Sequence, residues 1–564
     1  MTRYKAMKRL TLFLIILLGF ACSVKGAPVQ LGVPIPIPDA ARAPAYDHSL
    51  DDARRAGASI VQIRAEWPRI QPDAKTWNFA TLDALVTKAQ ARKLDVVLVF
   101  GPAPAWTVTY LKNPSPQQLA RARPDAAAYA KYVTAVTKRY ADRVKYYQPW
   151  ERPTGATLLA TAEETWKLYR IAAKAVHAVN PALMVVAPEP GDMQLGWIYT
   201  YLRSCTGTER PDVLLLSAVT DRATPDAFAR RFQLLHSRVL PKPAPVLWGS
   251  AIAATEQEWG WIAAASLLLQ NVSTLIVQPA AAHRDICAKP AFLGELQSLA
   301  SLTGQQYLGW QRIGPALAGA FGTGKGQCAV ILPDGGLDAA AALSLVASAK
   351  PVDGGIAVPA QCVTVRRLSG TSQQIDVKED IRFPLSARPV ILSGVLLAPT
   401  AGAPPWNAAP MTCGSVSLDL AGADPDAIRP LRGLPGGKYQ QVAFDGKVEM
   451  LITVRDTAPW IYLDVPDDFL FFNIDRHPVE VSVRVRGVRE AKKSGLSFYY
   501  DGVGGMTNSH WQWVDVGPFT EYTYTFRFDN ALFAGSEGYD LRLDMGGSTE
   551  PIKVLGMTVR KLPR

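Results

Sequence analysis

Val96-Val97-Leu98-Val99-Phe100 is an unbroken apolar run, entered from the amphipathic stretch Thr81–Lys93 and left through Ala103-Pro104-Ala105-Trp106. So short and uniformly apolar a run reads as a strand covered on both faces, since a half-solvated strand alternates polar and apolar side chains. The same unit recurs along the chain. Ile60-Val61-Gln62-Ile63, Met184-Val185-Val186-Ala187, Val213-Leu214-Leu215-Leu216, Val246-Leu247-Trp248 and Leu275-Ile276-Val277 are runs of this kind. Helix-like segments such as Asp125–Ala141 and Ala162–Val179 lie between them. Strand and helix alternating through residues 27–310 predict an α/β region closed into a (β/α)8 TIM barrel, a fold of about 250 residues. A doubly wound sheet is the alternative, but no Gly-rich phosphate loop follows any strand.

The character then changes. Residues 311–397 carry short β runs broken by Gly and Pro, and predict a small accessory β-domain beside the barrel. Residues 398–564 open on Ala398–Trp406, a linker or docking strap. Val479–Val485, Tyr522–Phe528 and Leu541–Met545 then alternate with period two. Such strands predict a second all-β unit, a β-sandwich or jelly roll.

At 564 residues the chain exceeds one compact core, and 48% hydrophobic with 19% charged residues is ordinary for a folded protein. Residues 1–26 read as an export signal, with Arg3, Lys5, Lys8 and Arg9 ahead of an apolar run from Leu10 to Phe20. That run is short for a membrane span. Cleavage near Gly26, lipidation of Cys22, or an uncleaved anchor remain open, and the expected location is the periplasm, the outer-membrane surface or outside the cell. Removing residues 1–26 lowers the formal charge from +11 to +6. This excess permits an acidic polymer as partner without requiring one, and no nucleic-acid motif is present. Cys205, Cys287, Cys328, Cys362 and Cys413 form no metal-binding pattern. Cys328–Cys362 is the expected disulfide, and neither metal nor cofactor is expected.

Ile63-Arg64-Ala65-Glu66-Trp67-Pro68-Arg69-Ile70-Gln71-Pro72, followed by Trp77-Asn78-Phe79 and Leu82-Asp83, resembles the second-strand region of glycoside hydrolase clan A barrels. Ala103-Pro104-Ala105-Trp106 resembles the P-x-W element of the same enzymes. The nearest group in pattern is family 39, which includes β-xylosidases and exopolysaccharide hydrolases. The resemblance implies two catalytic glutamates at the C-terminal ends of strands 4 and 7. Trp150-Glu151-Arg152-Pro153 stands where the family has W-N-E-P, so Arg152 occupies the place of the acid/base. A guanidinium, with a pKa above about 12, cannot supply a proton near neutrality. Pro245-Val246-Leu247-Trp248-Gly249-Ser250 aligns with the strand bearing the nucleophile and puts Ser250 in its place. Ser217-Ala218-Val219 and Gln278-Pro279-Ala280 stand where the family carries a histidine and an aromatic.

The barrel is therefore read as degenerate at its catalytic positions, with Glu151 and Glu189 as fallback carboxylates. The candidate substrate-binding residues are Arg64, Trp67, Trp106, Trp150, Arg152 and Trp248. For Trp67, Trp77 and Trp106, core packing is an equal alternative to sugar stacking. Trp460–Val465, Asp467–Leu470 and Phe498–Asp501 resemble the sandwich appended to exported glycosidase-like proteins, related to carbohydrate-binding domains. Trp511 and Trp513 are its stacking candidates. The expected function is polysaccharide binding without hydrolysis, the polymer an acidic one if Arg152 reads it. The rivals are an active glycosidase with displaced carboxylates and a structural partner in an envelope polysaccharide-assembly complex.

Overall fold

The computed structural model describes residues 28–564 apart from connecting segments, the longest being 36–44, 219–230, 254–264, 280–289, 334–341, 402–412, 432–438 and 453–459. The leader with Cys22, Glu189, Cys287 and most of the strap lie outside the described residues.

Eight strands close into a barrel in chain order: β1 (Gln30–Ile35), β2 (Ile60–Glu66), β3 (Asp95–Gly101), β4 (Tyr146–Gln148), β5 (Met184–Pro188), β6 (Val213–Ala218), β7 (Val246–Ala253) and β8 (Thr274–Pro279). Each pairs in parallel with its neighbours, and β8 pairs with β1. The apolar runs are continuous because both faces are covered. Ile60, Val97, Val213, Leu215, Trp248 and Ile276 fill the barrel axis. Ile63, Leu98, Phe100, Val185, Leu214 and Leu275 point outward into the helical layer. Gly32 lets β1 fit, because a β-carbon there would fall 2.3 Å from Cδ1 of Ile276 on the barrel axis.

The helices are held by their caps. The Asp125 carboxylate accepts the Ala128 N–H at 2.8 Å at the start of the helix Ala126–Tyr140. Thr161 and Glu164 form a reciprocal capping box for the helix Ala162–Val179. From these two helices, buried tyrosines reach strand ends: Tyr132 donates to the Ala65 carbonyl, Tyr129 to Pro149, and Tyr169 to Pro188. Burial pushes the phenols of Tyr129 and Tyr132 well above their ordinary range, so they stay protonated donors.

Strand β9 (Gln306–Ile313) runs through position 310, where the sequence placed a boundary. With β10 (Ala316–Gly322), β11 (Gln327–Pro333), β14 (Cys362–Arg366), β15 (Ser372–Asp376) and β17 (Val390–Val395) it makes a six-stranded sheet. A three-stranded sheet of β12 (Ala342–Val346), β13 (Ile356–Ala357) and β16 (Ile381–Pro384) shares its core. The expected Cys328–Cys362 disulfide is not formed, and both residues are free thiols. Strand β17 separates β11 from β14, two strand spacings or roughly 9.5 Å, beyond the reach of a disulfide. Cys328 instead lies 3.3 Å from the Ser393 hydroxyl. The described start of the strap docks on β9, where Thr400 and Trp310 exchange backbone hydrogen bonds of 2.7 and 2.9 Å.

The C-terminal unit is a two-sheet sandwich. One sheet orders β20 (Gln440–Phe444), β21 (Lys447–Ile452), β29 (Ile552–Lys561), β23 (Val479–Gly487) and β27 (Glu521–Phe528), with β18 (Ser415–Ser417) beside β29. The other orders β19 (Arg429–Leu431), β22 (Trp460–Asp464), β28 (Leu541–Asp544), β24 (Ser494–Gly502) and β25 (Gly505–Asn508), with β26 (Gln512–Val514) beside β24. Val481, Val483, Phe498, Phe526, Leu541 and Leu543 interlock between the sheets. The sandwich meets the barrel at the first turn of the helix Leu195–Ser204. There a β-carbon on Gly196 would coincide with the Ala534 carbonyl, so only glycine admits the contact.

Candidate functional site at the mouth of the barrel

In parallel barrels the loops after the strands build the cleft. Residues along β2 alternate, so Arg64 and Glu66 share the inward parity of Ile60 and rise above it at the mouth. The Arg64 guanidinium reaches Glu151 Oε2 at 2.5 Å, with side chains 40% and 48% exposed. Glu66 is engaged by Arg69 at 2.9 Å. Glu66 and Glu151 are thus each balanced by an arginine. Pairs this exposed contribute about 0–1 kcal/mol, so they set local charge more than stability.

Beneath them lies a polar layer that the sequence reading did not single out. Buried Gln62 donates to the Gln148 side-chain carbonyl at 2.8 Å, and Gln148 donates to the Trp150 carbonyl at 2.7 Å. The chain leaving β4 is thereby fixed before it reaches Glu151 and Arg152. The only sequence signal was two glutamines at strand positions otherwise apolar or aromatic.

Ser250 is 2% exposed on the inward side of β7, opposite Ser217 of β6 in the strand register. Arg152 is half-buried, its carbonyl accepting the Thr157 hydroxyl, and it joins no ion pair among the described residues. Glu189, the second fallback carboxylate, is outside the described residues.

The tryptophans divide. Trp67 is wholly buried, stacked on Tyr132 at 4.4 Å and 11°, with its N–H on Gln71 Oε1 at 2.9 Å. Trp150 is buried against Gly101, whose φ of +110° strains any side chain and where a β-carbon would press on the indole at 3.3 Å. Trp248 packs on Tyr146 at 4.9 Å along the barrel axis, below the mouth. These three, expected as sugar contacts, are buried by their neighbours in this structure. Trp106 keeps a partly open face, with its edge on Trp67 at 6.1 Å and its N–H on the Gln71 carbonyl at 3.1 Å. Trp77 stacks on Phe79, which also meets Arg139 and Tyr140 of the outer helix, so it belongs to the helical shell. Arg64, Trp106 and Arg152 therefore remain as accessible mouth residues.

Among the described residues no group of three His, Cys, Asp or Glu side chains is placed to hold a metal ion. No described helix is long and apolar enough to cross a membrane.

No family model and no curated protein matches the chain. Among solved structures it is similar to a family 39 glycoside hydrolase from the gut symbiont Bacteroides cellulosilyticus, at 14% identity over 65% of this chain and 81% of that one, TM-score 0.48. It is also similar to a family 30 endoxylanase from Clostridium papyrosolvens, at 16% identity over 67% and 98%, TM-score 0.48. A glucosidase from Croceicoccus marinus aligns over 96% of both chains at 14% identity, TM-score 0.38. What the chain has in common with glycosidases of this kind is the closed (β/α)8 barrel, which its own strand register establishes.

Proposed function

We propose that this is an exported protein of the cell envelope that binds polysaccharide on a glycosidase-like barrel and does not hydrolyse it, serving exopolysaccharide or envelope-glycan handling. The observation that carries the reading is the composition of the mouth. Retaining hydrolysis needs an acid/base and a nucleophile as two carboxyls about 5–5.5 Å apart, and an inverting enzyme needs the same pair wider apart. The aligned positions hold Arg152 and Ser250, and Glu151 beside Arg152 and Glu66 at the end of β2 are each paired with an arginine. A serine without an adjacent base cannot replace a carboxylate opposite a developing oxocarbenium ion.

Arg152 argues for an acidic polymer. Its planar fork matches a uronate carboxylate with two parallel hydrogen bonds, which a neutral sugar cannot reciprocate. The second reading, a glycosidase with displaced carboxylates, draws on the exposed Glu151 beside Arg152. The test is reducing-end release from neutral and uronate polysaccharides, run with binding to wild type and Arg152→Ala at two salt concentrations. The expected result is no release, and uronate binding that weakens with salt and in the variant. Turnover lost in Glu151→Gln would establish the glycosidase instead.

A further inference from the structure

The outer face of the sandwich sheet holding β22, β28 and β24 carries a second arrangement. Ile461, Leu463, Leu541, Leu543, Leu496 and Phe498 turn into the sandwich core. The alternate residues therefore face outward. The strand register lines Trp460, Asp544 and Ser497 in one row across three strands. Beyond them Gly495 stands opposite Trp513 of β26. Trp511 lies over Gly495 so closely that a β-carbon there would come within 2.4 Å of the indole. Its ring meets Trp513 edge-on at 5.7 Å and 83°, and Trp513 is 57% exposed.

Behind this row the Arg542 guanidinium sits between two rings, 4.3 Å from Trp460 and 4.5 Å from Tyr499. Its Nη2 reaches Asp544 Oδ2 at 3.1 Å, while its Nε–H meets no acceptor among the described residues. The group is held by cation–π contact with both rings and by Asp544, which balances its charge and whose other oxygen accepts the Gly546 N–H at 2.7 Å. The face thus presents indoles at both ends and, between them, a donor and an acceptor with no net charge.

We propose that this strip is a binding site for a neutral polysaccharide, distinct from the barrel mouth and resting on the reading that the protein binds glycans. Pyranose rings offer C–H faces that stack on indoles, and hydroxyls that both accept from a guanidinium and donate to a carboxylate. Three strand spacings separate Trp460 from β26, about 14 Å at the usual spacing, room for a short run of sugar units laid across the strands. An acidic polymer finds no free cation here, because the Arg542 charge is already taken up by Asp544.

The experiment is affinity electrophoresis of the full chain through gels containing a soluble β-1,4-xylan, a β-1,4-glucan, an α-1,4-glucan or polygalacturonate, at low and high salt. The expected result is retardation by at least one neutral polymer, insensitive to salt, and weakened about tenfold in Trp513→Ala and in Arg542→Lys. Because Trp513 is exposed, its variant keeps the fold, and a circular dichroism melt checks this. Neutral-polymer binding unchanged in both variants, or retardation by polygalacturonate alone, overturns the proposal. Binding lost in Arg152→Ala but kept in Trp513→Ala leaves the mouth reading standing while this site fails. Reducing-end release with the Trp513 dependence intact does the reverse.

Discussion

The barrel mouth and the outer face of the sandwich use the same residue types in opposite ways. At the mouth Trp67 and Trp150 turn back into the shell, Trp67 on Tyr132 and Trp150 on Gly101, and Trp106 keeps a partly open face, while Arg64 and Glu151 reach solvent. On the sandwich the tryptophans face outward and an arginine is tucked between rings. Contacts made by exposed charges are screened by salt, whereas those made by ring faces are nearly indifferent to it. Under the two proposals, a charged glycan segment at the mouth and a neutral one on the sandwich would respond differently to ionic strength.

The sharpest way to break this contrast is to remove an aromatic from each region. Trp67→Ala should cost about 3–5 kcal/mol in urea unfolding, as a large ring leaving a packed shell. Trp513→Ala should stay within about 0.5 kcal/mol of wild type. Comparable losses at both positions would mean that Trp513 is a packing residue after all. Tyr132→Phe comes next. It strips a donor from the buried Ala65 carbonyl, and a loss of about 1–3 kcal/mol is expected, without change in neutral-glycan retardation.

The pH dependence is smaller and belongs to the opposite end of the barrel. His177 Nε2 lies 2.9 Å from Asp212 Oδ2, and this hydrogen bond, partly opposed by burial, raises its pKa above the ordinary 6.5. The folded state thus holds the proton more tightly than the unfolded chain. The stabilisation is complete below about 6.5 and is lost as pH rises through the folded value. Urea midpoints should fall over that window in wild type and lose the slope in His177→Gln; a parallel decline in both would remove His177 as the cause. A small effect on stability, within about 1 kcal/mol, is also expected of Glu151→Gln, because the pair with Arg64 is exposed. Its value lies in binding, where releasing Arg64 should strengthen uronate capture.

Much of the barrel was legible because buried parallel strands carry uniform apolar runs: Val96–Phe100 lies within Asp95–Gly101, and Ala162–Val179 is a helix to the residue. The strand β1 escaped notice since Gly32 and Pro34 interrupt it, for reasons of space against Ile276 that only the closed barrel reveals. Strand β4, three residues long, is shorter than any pattern can define. At the mouth, sequence could not tell which indoles were buried, because that depends on neighbours distant in sequence such as Tyr132 and Gly101. The Cys328–Cys362 pairing failed for a like reason: two cysteines near in sequence were set apart by a strand arriving later, Val390–Val395. The Arg542 cage was invisible in the sequence because it joins three separate strands.

The phenols that grip the carbonyls of Ala65, Pro149 and Pro188 come from helices outside the barrel. What fixes the strand ends is therefore separate from what those ends display. Under drift, a cleft anchored from behind is free to exchange its displayed residues while the frame keeps its shape. A lineage on such a scaffold can trade one chemistry for another through substitutions that each leave folding untouched. The tyrosines themselves bear the cost of change, since each is buried and donates to a backbone carbonyl.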